Sequence, residues 1–212
     1  MVDEGYTKYT LEWEAAPFPE GYTRQLEQLI ALRDELRKRG LIGVLPDGIG
    51  FGNVSLRPPG SGDTFIISGT QTGHLTTTQP AHYSLVTQTF PAENRVVATG
   101  PVAPSSESMS HAAVYKARQE ISVVIHVHHT PTWELLLKQL PATAPDTPYG
   151  TPQMAQEIME LVLTPPTCKQ QIFAMAGHQG GIIAFGSSIA EARAHLYRYV
   201  SASGQCSDVQ NG

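Results

Sequence analysis

The stretch Ile121-Ser122-Val123-Val124-Ile125-His126-Val127-His128 is an apolar run that ends in two histidines. Such a run, rich in β-branched residues, predicts a strand that is buried on both faces. Residues two apart on a strand point to the same face, with Cα atoms about 6.5–7 Å apart. His126 and His128 can therefore converge on one ion, while Val127 faces the opposite layer. The run predicts a central strand that carries two ligands of a metal site, although a structural or surface histidine pair is the alternative.

Two histidines leave a catalytic zinc ion incomplete, because such an ion usually has three protein ligands and one open position. Among the remaining histidines, His178 is the preferred third ligand, because it lies in the turn Ala176-Gly177-His178-Gln179-Gly180-Gly181. Glycines there would let the backbone approach an ion. We expect His111 and His195 at the surface of helices and His129 in a structural role, and His74 and His82 are weaker candidates.

Outward from this run, the first half of the chain reads as antiparallel sheet with one helix, and the second half alternates helices and strands. The predicted strands are 54–57, 64–67, 83–90, 94–99, 121–128, 172–175 and 182–185. The predicted helices are 23–39, 106–118, 133–139, 153–163 and 188–201. This order indicates an α/β three-layer or α+β domain. We expect one domain over residues 1–212, with a core at 24–202, an N-terminal arm at 1–20 and a flexible tail at 203–212.

Composition excludes several classes of protein. The net charge is −5 and no basic face is evident, which argues against a nucleic-acid partner. There is no apolar run of the ~20 residues that a membrane span requires. The acidic N-terminus lacks a signal-peptide pattern, and the two cysteines form no C-x-x-C pair. These features predict a cytoplasmic protein with free thiols.

The segment Pro104-Ser105-Ser106-Glu107 precedes a predicted helix. Either serine could cap that helix, with the Glu107 carboxylate favourable beside the helix dipole. Alternatively, the hydroxyl and N–H groups bind a substrate anion and Glu107 acts as an acid/base beside the metal. The glycines at Gly50 and Gly52 are followed by a strand, so they do not form a dinucleotide-binding motif, and an anion-binding turn is plausible there.

These segments, in this order, resemble the class II aldolase/adducin family. The resemblance covers about residues 24 to 200, as expected for a short, divergent member of the L-fuculose-phosphate aldolase branch. Its motifs are Gly52-Asn53-Val54-Ser55-Leu56-Arg57, Ile67-Ser68-Gly69-Thr70, Pro104-Ser105-Ser106-Glu107, the stretch from His111 to His128, and Gly177-His178 with Ile182–Gly186. One departure is a segment between His128 and Gly150 that is shorter than in sugar-phosphate aldolases. That segment lacks the region that carries a catalytic tyrosine at the subunit interface.

The resemblance implies a three-layer α/β/α fold with a mainly antiparallel central sheet, commonly assembled as a homotetramer. It implies a divalent metal ion, Zn²⁺ first and Mn²⁺, Fe²⁺ or Co²⁺ as alternatives, bound by His126, His128 and His178. It assigns Glu107 as the acid/base, whereas an aspartate there is typical of the epimerases. Substrate phosphate would be held by a further set of residues: Asn53, Ser68, Gly69, Ser105 and Ser106.

The expected activity is that of a lyase, which cleaves a small hydroxy-carbonyl or sugar-phosphate-like substrate through a metal-stabilised enediolate. Decarboxylation or dehydration on the same site is an alternative. Another is a non-catalytic, adducin-like interaction module, from which loss of the metal ligands would be expected. A cupin is disfavoured, because Glu134, which would complete its metal motif, falls in a predicted helix.

Overall fold

A computed structural model describes residues 7–207, with side chains to residue 202. The ten strands, in chain order, are β1 (Thr10–Ala15), β2 (Gly43–Val44), β3 (Gly50–Phe51), β4 (Asn53–Leu56), β5 (Phe65–Ser68), β6 (Tyr83–Phe90), β7 (Arg95–Gly100), β8 (Val123–His128), β9 (Ile172–Ala174) and β10 (Gly181–Gly186). The helices are α1 (Thr23–Lys38), α2 (Ser108–Ala117), α3 (Thr130–Gln139), α4 (Pro152–Leu161), α5 (Pro165–Gln170) and α6 (Ile189–Ser207).

Eight strands form one sheet in the order β1-β7-β6-β5-β4-β8-β10-β9. The β1–β7 pair is parallel, and the other six pairs are antiparallel. Strand β8 therefore lies inside the sheet, between β4 and β10. The short hairpin β2–β3 is separate and leads directly into β4. Residues brought by β4, β8 and the turn before β10 consequently meet at one place.

Both faces of the sheet are covered by helices, and the alternation of side chains on β8 shows it. Val124 belongs to an apolar cluster with residues of α2 and α4. Val123, Ile125 and Val127 belong to a second cluster, which contains residues of α1, α3 and α6. Burial on both faces explains why the strand reads as a continuous apolar run. The predicted three-layer α/β fold with a mainly antiparallel sheet is confirmed.

The elements predicted from the sequence are present, with ends that differ by a few residues. The two-residue strands β2 and β3 were not predicted, and three further differences are larger. Residues 10–15 of the expected N-terminal arm pair with β7 as a strand of the sheet. Helix α5 was not predicted, because it has six residues and begins with two prolines. Helix α6 continues to Ser207, so part of the expected tail is helical, and residues 208–212 lie outside the described chain.

Two class predictions can be compared with the described residues. Between residues 7 and 207, no helix has both the length and the apolar character needed to cross a membrane. Among the described side chains, Cys168 is an exposed free thiol.

Candidate metal centre and its cavity

Three histidines meet where β8 ends and β10 begins. His126 and His128 extend from the same face of β8, and His178 lies in the turn between β9 and β10. The nitrogen atoms that these side chains can offer to an ion all lie within 4.8 Å of one another. The Nε2 atoms of His128 and His178 are 2.8 Å apart. The structure therefore brings together the three residues that the sequence singled out.

The position of His178 depends on the glycines around it. The N–H of Gly181 donates to the carbonyl of His178, and the N–H of His178 donates to the carbonyl of Met175. A Cβ on Gly181 would stand 2.3 Å from Cδ2 of the His178 ring. A Cβ on Gly177 would stand 2.5 Å from the carbonyl oxygen of Thr147. Side chains at 177 or 181 would therefore displace this turn.

Burial keeps two of the imidazoles neutral. The Nδ1–H of His126 donates to the carbonyl of Ile182 at 3.1 Å, so its Nε2 carries the lone pair. Burial, followed by the nearby His178, lowers the pKa of His126 to about 3. Burial, followed by the other two rings, holds the pKa of His128 well below its usual value. At neutral pH each of the two rings therefore has one nitrogen with a lone pair that an ion can bind.

The donor set fits a divalent cation. Nitrogen atoms bound to a tetrahedral ion at the usual zinc distance are about 3.3 Å apart, so a small opening of the 2.8 Å contact accommodates the ion. The carbonyl that fixes the His126 tautomer is the kind of outer partner that metal-bound imidazoles usually have. Three histidine ligands beside a cavity leave a coordination position for a substrate.

Glu107 lies next to the histidines. Its Oε1 is 4.0 Å from Nε2 of His126 and 3.8 Å from Nε2 of His178. Its other oxygen, Oε2, accepts a hydrogen bond from the Ser110 hydroxyl at 2.8 Å. The residue is only 4% exposed. This carboxylate is thus held beside the candidate ligands with one oxygen directed toward them.

One interpretation of the sequence was that Ser105 or Ser106 caps α2, and this is wrong. The helix begins at Ser108, Glu107 occupies the cap position, and no side chain caps it. The Ser105 hydroxyl instead accepts from the N–H of Glu107 at 3.3 Å, and the Ser108 hydroxyl donates to the Ser105 carbonyl. The Tyr9 hydroxyl donates to the same carbonyl at 2.8 Å, which ties the start of the chain to this loop.

A cavity of about 420 Å³ opens in front of the histidines. Among the predicted site residues, it is lined by Asn53, Gly69, Ser105, Ser106, Glu107, His126 and His178. Asn53 is opposite His126 in the β4–β8 ladder. Its Oδ1 is buried and has no hydrogen-bond partner within residues 7–207. Ser68 does not line the cavity, and its hydroxyl accepts a hydrogen bond from the N–H of Val54.

The cavity also has walls that the sequence did not indicate. The Tyr149 ring lies 4.8 Å from the ring of His178, and the Lys8 ammonium, which does not line the cavity, lies 4.3 Å above that tyrosine. Phe51 packs against His128 at 5.2 Å between ring centroids. The loop 70–74 forms the outer wall. These residues come from irregular segments and short strands, where no periodic pattern marks a functional position.

The family's sequence profile, described as "Class II Aldolase and Adducin N-terminal domain", matches residues 27–204. The chain belongs to this family. No curated protein sequence matches this class II aldolase/adducin domain. Solved structures of the same fold do match this chain, and three of them are described below.

A sugar-phosphate aldolase from Thermotoga maritima has a TM-score of 0.67 at 16% identity, over 90% of this chain and 97% of that one. YgbL from Klebsiella pneumoniae, whose description names aldolase, epimerase and decarboxylase without choosing among them, has a TM-score of 0.66 at 19% identity, over 91% and 93%. L-fuculose-1-phosphate aldolase from Thermus thermophilus has a TM-score of 0.56 at 22% identity, over 84% and 86%. At these identities the similarity shows the shared fold.

In this class II aldolase/adducin domain, His111 is fully buried, so its predicted surface position is wrong. Its Nδ1 lies 2.7 Å from the Ser55 hydroxyl, which lies 2.7 Å from the Tyr115 hydroxyl. Helix α2 is buried along most of its length, and its sequence has no polar stripe that would show which face meets the sheet. His195 is half-buried and donates to the carbonyl of Phe185. His129 is the residue before α3, with its ring beside the Thr132 hydroxyl, in agreement with a structural role.

We expect His111 to make the protein sensitive to acid. Burial, followed by the nearby His126, lowers its pKa to about 3, far below the ordinary value for histidine. Because the folded-state pKa is the lower one, the unfolded chain binds more protons between these values, and stability falls as the pH drops through that window. His111→Gln should reduce the loss of unfolding free energy between pH 7.5 and 5.5 by about 1.4 kcal/mol. Urea denaturation at both pH values measures it, and an unchanged loss would contradict the assignment.

Proposed function

We propose that the protein is a divalent-metal-dependent lyase of the aldolase type. Its substrate would be a small hydroxy-carbonyl compound or a sugar phosphate. The observation that carries the proposal is the juxtaposition of three histidines, whose candidate ligand atoms lie within 4.8 Å, with the Glu107 carboxylate about 4 Å away. Members of this family are typically dependent on a divalent metal, and the donor set here suits that requirement.

His126, His128 and His178 would hold the ion. Nitrogen ligands in this number and geometry favour Zn²⁺, with Mn²⁺, Fe²⁺ or Co²⁺ as alternatives. When bound, the ion would supply a Lewis acid for a substrate carbonyl and a neighbouring hydroxyl oxygen. The protein's part is to hold the three rings in place and to keep those of His126 and His128 neutral, which burial and the Ile182 carbonyl support.

Glu107 would move the proton. In aldol cleavage, the hydroxyl next to the breaking carbon–carbon bond gives its proton to the carboxylate, and its C–O bond becomes a carbonyl. The electron pair of the broken bond passes to the fragment that bears the original carbonyl. The carbon that has lost the bond, which is next to that carbonyl, then takes a proton from the Glu107 carboxyl. The hydrogen bond from Ser110 would hold the carboxylate in position for both transfers.

The oxygen-rich part of the substrate would lie against Asn53, Gly69, Ser105 and Ser106, with Ser68 supporting them from behind. The unpartnered Oδ1 of Asn53 supports this placement, because a buried carbonyl oxygen without a donor is costly until a ligand hydroxyl reaches it. We further propose a cytoplasmic homo-oligomer, with a tetramer favoured. Decarboxylation and dehydration could use the same residues, so the experiment must distinguish these reactions.

The test is turnover that depends on metal. Purified protein is stripped with a chelator and reloaded separately with Zn²⁺, Mn²⁺, Fe²⁺ and Co²⁺. Each sample is then incubated with a panel of sugar phosphates and hydroxy-carboxylates, and products are followed by NMR. We expect cleavage of at least one substrate to two fragments, a loss of at least about 100-fold on chelation, and recovery with one of the ions.

The product distinguishes the alternatives. Two carbonyl-containing fragments indicate an aldolase, carbon dioxide a decarboxylase and an unsaturated or rearranged product a dehydratase. Protein that binds no metal and converts nothing in the panel would contradict the proposed function and favour a non-catalytic adducin-like module.

A further inference from the structure

The outer wall of the cavity is tied to α1 by two arginines. Arg33 donates through Nη2 to the carbonyl of Thr72 at 2.6 Å and through Nη1 to the carbonyl of Leu75 at 2.7 Å. Arg37 donates through Nε to the carbonyl of Gly73 at 3.1 Å. Arg33 is 1% exposed and is paired with Asp34 at 3.2 Å. Three carbonyls of this loop therefore point toward positive charge on the helix.

The N–H groups of the peptides that follow Thr72 and Gly73 point away from α1. In a trans peptide the C=O and the following N–H are antiparallel, and no cis peptide is present in the described chain. Since the carbonyls of Thr72 and Gly73 point to α1, the N–H groups of Gly73 and His74 point away from it. Both residues line the cavity, whereas neither arginine does. Neither N–H donates a hydrogen bond to any group within residues 7–207.

The loop holds these two donors in a fixed position. The Nδ1–H of His74 donates to the carbonyl of Gln71 at 3.0 Å, and Gln71 has a φ of 57°. A Cβ on Gly73 would stand 2.2 Å from the carbonyl oxygen of Gly43, so the loop packs closely on the β2–β3 hairpin. Donors fixed in this way bind an oxyanion without a cost for ordering the loop.

The positive charges behind the loop favour a negatively charged ligand group at its amides. An arginine behind each peptide aligns with its dipole and increases the positive potential at the N–H end. Successive backbone N–H groups of this kind form anion-binding concavities. Lysine and arginine side chains are absent from the cavity lining found in the described chain. The positive potential therefore reaches the cavity through the amides of the loop.

We propose that the amides of Gly73 and His74 form an oxyanion subsite for a carboxylate or a phosphate group. Arg33 and Arg37 are positioning residues, which act through the carbonyls of the same two peptides. The subsite is formed by residues other than the set around Asn53 and Ser105, so it would hold a further polar group of the ligand. It goes beyond the proposed lyase activity, because anion binding requires neither turnover nor a particular reaction.

The His74 amide can be observed directly. Protein labelled with ¹⁵N-histidine gives amide signals from only eight residues. The signal absent from similarly labelled His74→Gln belongs to residue 74. We expect that signal to move saturably when inorganic phosphate or acetate is added. The tighter of the two anions identifies the ligand group as phosphate or carboxylate. A His74 signal that moves with neither anion would overturn the proposal.

The arginine mechanism is tested with a matched pair of variants. Arg37→Gln removes the charge behind the 73–74 peptide, and Lys38→Gln removes one charge from the next position of the same helix, where the side chain is exposed. We expect the dissociation constant read at the His74 amide to rise about fivefold or more in Arg37→Gln and less than about twofold in Lys38→Gln. Equal weakening in both variants would overturn the directed role of Arg37. These measurements involve no turnover, so an inactive lyase assay does not affect them.

Discussion

Replacing His126 with alanine is expected to abolish stoichiometric metal binding. The wild-type protein should retain about one divalent ion per chain after dialysis against a weak chelator, and the variant less than about 0.1. His126 would supply the most rigid ligand, because its ring is 1% exposed and its Nδ1–H is fixed by the Ile182 carbonyl. Loss of one of three ligands should weaken affinity by more than about 100-fold. Elemental analysis by mass spectrometry gives the metal content.

The matched control is His129→Ala. His129 is in the same histidine run, but its ring bonds to the Thr132 hydroxyl at the start of α3 and is not part of the three-histidine cluster. Metal content should stay near that of the wild type in this variant, and circular dichroism should show that both variants are folded. Undiminished metal in His126→Ala would contradict the proposed site, as would equal loss in the two variants.

The sequence predicted the features that depend on local geometry. The spacing of His126 and His128 places them on one face of β8, because side chains alternate along a strand. The turn of His178 could be recognised because glycines are required where the chain passes under the ring, as Gly181 does. The apolar run of β8 indicated a strand buried on both faces, and this is confirmed by the two clusters that it joins.

Features that depend on contacts between distant segments could not be predicted. His111 is buried because α2 packs against a sheet face whose strand order the sequence does not reveal. Tyr149 meets His178 because the segment before α4 folds back over the turn. The carbonyls of Thr72 and Leu75 are bound by Arg33, which is about 40 residues away in the chain and has the pattern of an ordinary charged position of α1. These positions carry no local signal in the sequence.

The other large effect is expected for Glu107→Gln. This variant should keep the metal content of the wild type and lose about 10²–10⁴-fold in kcat, since an amide cannot exchange the proton that the carboxylate would carry. Glutamine preserves the shape of the side chain and can still accept a hydrogen bond from Ser110. The loss should therefore be mainly in kcat rather than in KM. Steady-state kinetics on the substrate found in the panel, with metal analysis of the same samples, separates chemistry from metal loss.

Two further variants make the role of Glu107 specific. Ser110→Ala keeps the carboxylate and removes the hydroxyl that donates to its Oε2, so it should cost less, about tenfold in kcat. Glu120→Gln removes an exposed carboxylate of the loop after α2, which is paired with Arg118, and should leave kcat unchanged. Glu107→Gln with wild-type kcat would exclude this carboxylate as the acid/base. If that variant also lost its metal, Glu107 would have to be reassigned as a ligand, since its oxygen lies only 3.8 Å from His178. Retained metal with a graded loss of kcat from Glu107→Gln to Ser110→Ala is the pattern expected of an oriented proton carrier.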